Sequence, residues 1–415
     1  MTCLKTASGL NKTIIYKKHA KTDAICYGDL PTDVSGGVTT RRVTGTFNLN
    51  KETYKSAEIR TDYQVVDSRH GVRSVDGSLS GELSPGSYAT FMGSALCKDF
   101  AVPTSPTAPT SIALTVASVG DSFGTVTLVG GNFYGIVTVG SIIRLSGMTN
   151  SANNGVNLLV MALGSTTTTV TSVSAIAVNG QSLVNESAKT GATYSVIGKE
   201  SYIPTTGHTD DHYTVEQWYD DLSISEVFTG CKIGTVAVNV PANGLATVDF
   251  AFVGKDLSKT GSTRFLTNPT AQSSTKVYSS ATGVLLVDGV PQVVITGAKL
   301  NINRGLTQDS VAFANTKPNN NVGTIMVDGE ITTLMVSELN LDAFDAEKNL
   351  SLVFLLAADS SKTSDFITFA LPKVTFDSAT RDDGSKTISE TIKFTGVKGV
   401  TGAINSTLII RDSQA

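Results

Sequence analysis

The chain has 415 residues, of which 40% are hydrophobic and 16% are charged, with a formal net charge of -4. This length allows two or three domains. The charged fraction is below the ~25% typical of globular domains, and β-branched residues take up the difference, which favours strands. The mildly acidic balance excludes the basic footprint of a nucleic-acid-binding protein.

The cysteines predict neither a disulfide framework nor a zinc ribbon. Cys3, Cys26, Cys97 and Cys231 lie far apart and show no paired spacing, as is typical of reduced thiols in a cytosol. Residues 1–5 have no apolar core of signal-peptide length, and no stretch reaches the ~18 apolar residues of a membrane helix. We therefore expect synthesis and assembly in the cytoplasm, without a membrane.

In the first hundred residues, a weakly patterned segment precedes two strands and a helix. Residues 1–42 contain a basic run at 17–21 and predict an N-terminal arm that is either solvated or packed on a neighbouring subunit. Residues 43–50 and 75–83 alternate between polar and apolar side chains, and predict half-buried strands with Phe47 and Leu49 facing the core. Ser84 as N-cap and Pro85 in the first turn predict a helix.

The segment between these two strands is long and rich in charge. Such a loop is uncommon in a compact domain unless it has a function. It is either a solvated loop or extended hairpin, or a contact arm whose charges orient it against a partner. The residues predicted for that contact are Lys51, Lys55, Glu58, Arg60, Asp62, Asp67, Arg69 and Arg73.

After a proline-rich linker at 101–110, the composition changes. Residues 105–200 carry very few charges and show short strand patterns separated by Gly- and Asn-rich turns. The predicted strands are 112–116, 125–128, 142–145, 157–161, 169–173 and 193–197. This segment predicts a small all-β module with its own core, a decoration rather than a catalytic body.

From residue 201 onward, the composition again resembles that of the first hundred residues. Strands are predicted at 213–219, 232–240 and 247–254, and residues 259–292 are predicted as a crossover linker with one strand at 284–287. A new strand with Leu300 and Ile302 facing the core then leads into a second long loop, 305–321. A short helix near 341–344 and strands at 350–356, 366–369, 373–376 and 388–395 follow, the last two joined by a turn at 381–384.

Two parts of the chain repeat each other. Residues 44–51 correspond to 297–304, and Val75-Asp76-Gly77 corresponds to Val327-Asp328-Gly329. Matching Phe91 with Phe344 gives an offset of 253, and matching Phe252 with Phe394 gives 142, so the first copy contains 111 extra residues. The charge-poor module accounts for most of them. We therefore predict two tandem units, 43–104 plus 201–258 and 293–415, with the module 105–200 inserted in the first.

No constellation of catalytic residues is present. The chain contains no Gly-x-Ser-x-Gly elbow, no phosphate-binding glycine loop and only four histidines. His208 and His212 have the spacing of two metal ligands on a helix, but their surroundings are not helical, which favours a polar loop. We expect no enzymatic activity, no cofactor and no metal.

The repeated stretch resembles the tail tube (major tail) proteins of long-tailed, siphophage-type bacteriophages. The resemblance covers most of residues 43–104, 201–256 and 293–412, and leaves out the module. It implies an all-β fold: two tandem β-sandwich domains, each with one short helix at its side. It also implies subunits that pair sheet edges into a continuous barrel around a lumen.

The resemblance further implies the assembly. Rings of six tube domains would here contain three chains, and the long loops 51–74 and 304–323 would reach the adjacent ring. The expected partners are further copies of the chain, a tape measure protein inside the tube, and tail terminator and distal tail proteins at its ends. DNA would pass through without being read, and the module would project outside the tube of the virion.

Two other functions remain open from the sequence. A β-repeat adhesin could use the module to bind carbohydrate, although a signal peptide and paired cysteines would then be expected. Another tail component of similar fold, such as a baseplate or tail terminator protein, is less favoured, because two full tube units are typical of the repeating subunit.

Overall fold

The computed structural model describes residues 6–20, 25–117, 121–164, 168–336, 339–382 and 387–415. The expectations for residues 1–5, for the end of the basic run at 21 and for the tip of the turn at 383–384 lie outside these ranges. Within them the chain is mostly β with two α-helices, which confirms the predicted all-β class.

The first part of the chain contains β1 (Lys12–His19), β2 (Val38–Thr39), β3 (Thr44–Lys55), β4 (Ser68–Glu82) and α1 (Ala89–Ala95). The module contains β5 (Ser111–Val116), β6 (Phe123–Val129), β7 (Ile142–Ser146), β8 (Leu158–Leu163), β9 (Ser172–Ala177), β10 (Glu186–Thr190) and β11 (Thr193–Ile197). It is followed by β12 (Lys199–Tyr202), β13 (His212–Tyr219), β14 (Ile224–Pro241), β15 (Thr247–Gly254) and β16 (Asp256–Gly261).

The last part begins with β17 (Gly283–Val287), β18 (Val290–Gln292), β19 (Ile295–Asn303), β20 (Thr307–Gln308), β21 (Asn320–Asn321) and β22 (Met326–Leu334). It ends with α2 (Leu339–Asp345), β23 (Leu350–Ala357), β24 (Phe366–Arg381), β25 (Ser389–Gly396), β26 (Gly399–Thr401), β27 (Ile404–Ser406) and β28 (Ile409–Asp412).

Eight strands form one continuous antiparallel sheet, here called the wall sheet. Its order is β3-β4-β15-β14-β19-β22-β25-β24. The first four strands come from the first part of the chain and the last four from the second, in the same relative order. The wall sheet is therefore two four-stranded halves joined side by side through β14 and β19.

The two halves also share their register. Asn48 lies opposite Asp76 in the first half, as Asn301 lies opposite Asp328 in the second. The long strands β14 and β24 each carry an irregularity at the corresponding place, at 233–235 and 376–378. Because even the irregularities coincide, the sequence repeat is a repeat of backbone geometry.

The repeated Val-Asp-Gly motif has a packing cause. The valines, Val75 and Val327, are buried, whereas the aspartates lie on the exposed face. A Cβ on Gly77 would lie 2.3 Å from the Phe47 ring, and one on Gly329 would lie 2.4 Å from the Phe394 ring. Only glycine leaves room for an aromatic ring to lie directly on the strand.

The outer layer corrects the prediction of an N-terminal arm. Residues 12–19 form β1, which pairs along its whole length with β13, and Ile14 and Ile15 are buried. In the second part of the chain β17 pairs with β23 in the same way, and β17 lies where a strand was predicted within the crossover linker. The apolar run Ile14-Ile15-Tyr16 was the available signal for β1.

The first helix begins later than predicted. Residues 85–88 form a turn, and α1 starts at Ala89, because Gly86 has φ of 71° and cannot continue a helix from Pro85. The ends of the two helices also correct the predicted alignment of the two repeats. Leu96 and Ala346 make the same closing hydrogen bond four residues back, so the two helices are offset by 250 and Phe91 corresponds to Leu341 rather than Phe344.

The described residues form three apolar cores. The largest runs under the wall sheet through both parts of the chain. The module has its own core within a seven-stranded sheet, β10-β5-β6-β9-β8-β7-β11, where β9 lies three residues later than predicted and β10 was not predicted. A third core lies between the module and the second part of the chain.

Candidate assembly surfaces

The wall sheet has two open edges. Within the described residues, β3 pairs only with β4, and residues 378–381 of β24 pair only with β25. The predicted wall residues Phe47, Leu300 and Ile302 are buried under this sheet, and Leu49 packs against the same core. An open edge presents backbone donors and acceptors to another strand.

At one residue of the open β3 edge, both backbone groups are satisfied by a side chain of the same chain. The backbone N–H of Phe47 donates to Oε1 of Gln217, and the Gln217 Nε2 donates to the Phe47 carbonyl, both at 3.0 Å. Gln217 is buried on β13 and also donates to Glu226 at 3.0 Å. The Gln217 amide thus occupies the place of a neighbouring strand at this position.

The solvent-facing side of the wall sheet carries more acidic than basic side chains. Cross-strand bonds connect Asn301 to Asp328 at 3.1 Å and Lys299 to Glu330 at 3.0 Å. Asn50 likewise donates to Asp76 in the first half. The carboxylates on this side include Asp76, Glu82, Asp249, Asp328, Glu330 and Asp377, and the lysines include Lys299 and Lys393. The sequence alone could not assign these carboxylates to one face.

The charged segment after β3 is an exposed hairpin. β3 runs on to Lys55 and β4 begins at Ser68, so only residues 56–67 form a loop. Its charges mostly pair within the chain: Arg60 with Asp62 at 3.1 Å, Arg69 with Asp67 at 2.8 Å and Arg73 with Asp256 at 2.8 Å. Among the described residues, Lys51, Lys55 and Glu58 have no ion pair within 4 Å.

The tip of this hairpin is apolar, which the sequence reasoning missed. Ile59 and Tyr63 are fully exposed, at 102% and 98%, and Val65 and Val66 are also exposed. Exposed apolar side chains grouped in this way make the tip a candidate interaction site. The sequence signal for this apolar tip was the set of apolar residues that lie between the charged ones.

The second long loop follows a different course. Residues 304–323 fold back against the first part of the chain, where Asn320 donates to the Val253 carbonyl at 3.0 Å and Arg73 N–H donates to the Asn315 carbonyl at 2.8 Å. Its tip still exposes Phe313, which has φ of 65°, as Tyr63 has φ of 59° in the first loop. Each loop therefore presents one aromatic ring from a left-handed turn.

A charged cluster lies where this second loop meets the first part of the chain. Lys232 donates to both oxygens of Asp210, at 2.7 and 2.8 Å, and to the Asn320 carbonyl at 2.8 Å. Burial lowers the pKa of the Lys232 ammonium, and the hydrogen bonds to Asp210 oppose that shift. Buried Arg304 completes the cluster with Nη2 4.0 Å from Asp210.

The module is docked on the second part of the chain. Ile142 and Leu159 of the module are fully buried against Phe366 and Ile409. Polar contacts surround them: the Asn157 Nδ2 donates to the Ser364 carbonyl at 2.8 Å. The two ends of the insertion meet in a bridge between residues 101 and 200. The module is a separate sheet with a second, shared core.

The described residues contain no group of three His, Cys, Asp or Glu arranged to hold a metal ion. His208 lies in a loop, while His212 starts β13 and is buried. Cys26, Cys97 and Cys231 are free thiols, and burial raises the pKa of the Cys231 thiol. In the described parts of the chain, neither helix has the length and hydropathy to span a membrane.

The chain matches the model of a known protein family. The family model described as phage tail tube protein matches residues 20–396, nearly the whole chain. No curated protein matches the chain.

Proposed function

This chain belongs to the phage tail tube proteins, and from that premise we propose that it is the repeating subunit of a tail tube in which three copies close one ring. Its family makes it a structural virion component of the tail that assembles with itself and other tail proteins. Ring size, stacking, assembly in the host cytoplasm and genome passage are the proposal.

The observation that carries the proposal is the junction inside the chain. β14, the last strand of the first half, pairs with β19, the first strand of the second half. β24 and β3 occupy the same two positions at the open edges. A β24 edge therefore fits the β3 edge of the next copy, and such a heterologous contact forms a closed ring when the rotation closes. Three chains with eight strands each would give a barrel of twenty-four strands.

The internal junction also fixes the expected register. Ala237 of β14 lies opposite Asn301 of β19. Thr380 is the counterpart of Ala237, because the shared irregularity aligns the two strands, and Asn48 is the counterpart of Asn301. Thr380 of one chain should therefore lie opposite Asn48 of the next, with Cα atoms ~5 Å apart.

The solvent-facing side of the wall sheet would then line the lumen. Its acidic surplus would repel DNA phosphates, so that the genome could pass without binding to the wall. The other side is taken by the core and the outer layer, which leaves the docked module on the outside of the tube. The tape measure protein and the end proteins would meet the lumen and the terminal rings.

A disulfide across the predicted junction tests the ring. We expect the pair Thr380→Cys and Asn48→Cys, in a Cys26→Ser background, to give covalent dimers and trimers on oxidation, with no species above three chains. The control pair Thr380→Cys and Thr44→Cys is four residues out of register and should give few. A ladder that continues past three, or three-fold symmetry missing from axial electron micrographs, would overturn the trimeric ring.

The adhesin alternative makes a separate prediction. Carbohydrate binding by the module in the intact chain, without tube formation, would support it.

A further inference from the structure

The internal junction contains a side-chain contact that reaches beyond the paired strands. Arg304 follows β19 directly and is fully buried. Its Nη1 donates to the Ile233 carbonyl at 3.2 Å, and its Nη2 lies 3.4 Å from the Cys97 sulfur and 4.0 Å from Asp210. Arg304, a cation of the second half, thus contacts the residues that follow helix α1 of the first half.

The first half has its own cation at the position of Arg304. Lys51 stands three residues after Asn48, and Arg304 stands three residues after the matching Asn301. Lys51 is exposed, because it lies on the β3 edge that no strand of the described chain covers. The counterpart of a buried junction residue is therefore solvent-exposed in the single chain.

Aligning the ends of the two helices identifies the residue that would lie next to Lys51 in the ring. Lys98 and Lys348 make the same closing bond to the residue five positions back, in α1 and α2 respectively. The residue before each lysine is left-handed, Cys97 with φ of 57° and Glu347 with φ of 47°. Glu347 is therefore the counterpart of Cys97.

Aligning the strands β13 and β23 identifies the same residue. Asp210 stands three residues before Tyr213, where the register of β13 shifts, and Glu347 stands three residues before Leu350, where the register of β23 shifts. In the second half no module separates helix from strand, so one residue takes the place of both Cys97 and Asp210. Glu347 is exposed.

We propose that Lys51 of one chain forms an ion pair with Glu347 of the next chain in the ring. This inference rests on the proposed ring and names the charges that align its edges. In the first half, Lys232 already neutralises Asp210. The counterpart of Lys232 in the second half is Thr375, which is neutral. The carboxylate of Glu347 is therefore not neutralised at that position and can pair with Lys51 of the next chain. Complementary charge at a junction of identical chains favours the correct register and rejects slipped ones.

Zero-length carbodiimide cross-linking of the unmodified protein tests the pair directly. In assembled tubes we expect a Lys51–Glu347 amide between chains, identified by peptide mass spectrometry, and none in the unassembled chain. Tubes that form without this cross-link would overturn the ion pair and leave the ring intact. If the wild-type chain forms no rings, the proposed function fails instead.

Charge reversal supplies the second readout. Lys51→Glu and Glu347→Lys should each raise the concentration needed for assembly by about tenfold at low salt, and the double variant should restore assembly to within about threefold of wild type. Lys189→Glu, on the exposed β10, changes the same charge away from the junction and should have no effect. Both target residues are exposed, so circular dichroism of the single chain should not change. Failure of the double variant to recover would contradict the pairing.

Discussion

Gln217 shows how single residues govern an open sheet edge. Its amide both accepts from and donates to the backbone of Phe47 at 3.0 Å, at the position where a neighbouring strand would otherwise bind. In the proposed ring, the counterpart of Val238 is Arg381, whose backbone would take over these two bonds. We expect this side-chain cap to protect the free chain from unregulated edge pairing.

Removal of that cap should make assembly easier. Gln217→Met keeps the size of the side chain but leaves the Phe47 backbone groups unpaired in the free chain, at a cost of roughly 0.5–1.5 kcal/mol for each lost bond. We expect a lower melting temperature of the single chain and a several-fold lower concentration for tube assembly, measured by sedimentation. Gln181→Met in the module is the control. An unchanged or higher assembly concentration would show that Gln217 is not a cap.

The position of Lys51 in the fold assigns it to a different contact from the one predicted from the sequence. The sequence placed it with seven other charged residues in one contact loop, of which five pair among themselves or with Asp256. At the base of the hairpin, Lys51 instead takes the position of the buried Arg304. The inter-ring role of the remaining residues stays a prediction.

At the scale of elements, the hairpin 51–73 is the best candidate for the contact between rings. It extends from the wall sheet through the prolonged strands β3 and β4 and exposes Ile59 and Tyr63 at its tip. Apolar anchors contribute most of the binding energy at an interface, while the charges around them form its rim. The second loop packs on its own chain, so only its Phe313 tip is available for a similar contact.

We expect Ile59→Ser combined with Tyr63→Ser to stop rings from stacking while rings still form. The physical reason is the loss of the apolar area that the tip would bury against the next ring. Negative-stain electron microscopy should show separate rings in place of tubes, and the melting temperature of the single chain should stay the same, because both residues are fully exposed. Tubes of normal length would contradict a hairpin contact. Phe313→Ser tests the second loop in the same assay.

At the scale of the whole molecule, the inserted module is part of the folded body. Its face around Leu159 is buried with Phe366 and Ile409, and Arg411 of β28 contacts both Thr138 of the module and Glu200, at 3.1 Å from the latter. Removal of the module would expose this apolar face. Its retention therefore has a structural reason in addition to any role outside the tube.

Leu159→Ala measures this docking. A fully buried leucine replaced by alanine should lower the free energy of unfolding by about 2–5 kcal/mol. Val129→Ala, at a half-exposed site of the same module, should cost far less. Denaturant unfolding of the intact chain is the measurement. Equal effects of the two substitutions would show that the shared core contributes little to stability.

The all-β class could be predicted from the sequence and is confirmed. The repeated unit, the inserted module and the wall residues around Phe47, Leu300 and Ile302 were also predicted from it. These predictions rest on local signals: alternation with a period of two, short motifs that recur in the second half, and a change of composition at the insertion. The strand β1 was not predicted, because its only local signal is the short apolar run Ile14-Ile15-Tyr16 and its strand identity depends on its partner β13.

The side-by-side joining of the halves, the docking of the module and the acidic side of the wall sheet could not be predicted from the sequence. Each depends on which strand lies next to which, and residues far apart in sequence set that order. The internal junction between β14 and β19 is the clearest case: it brings Arg304 to Asp210, and it places their counterparts Lys51 and Glu347 on surfaces that no other part of the described chain covers.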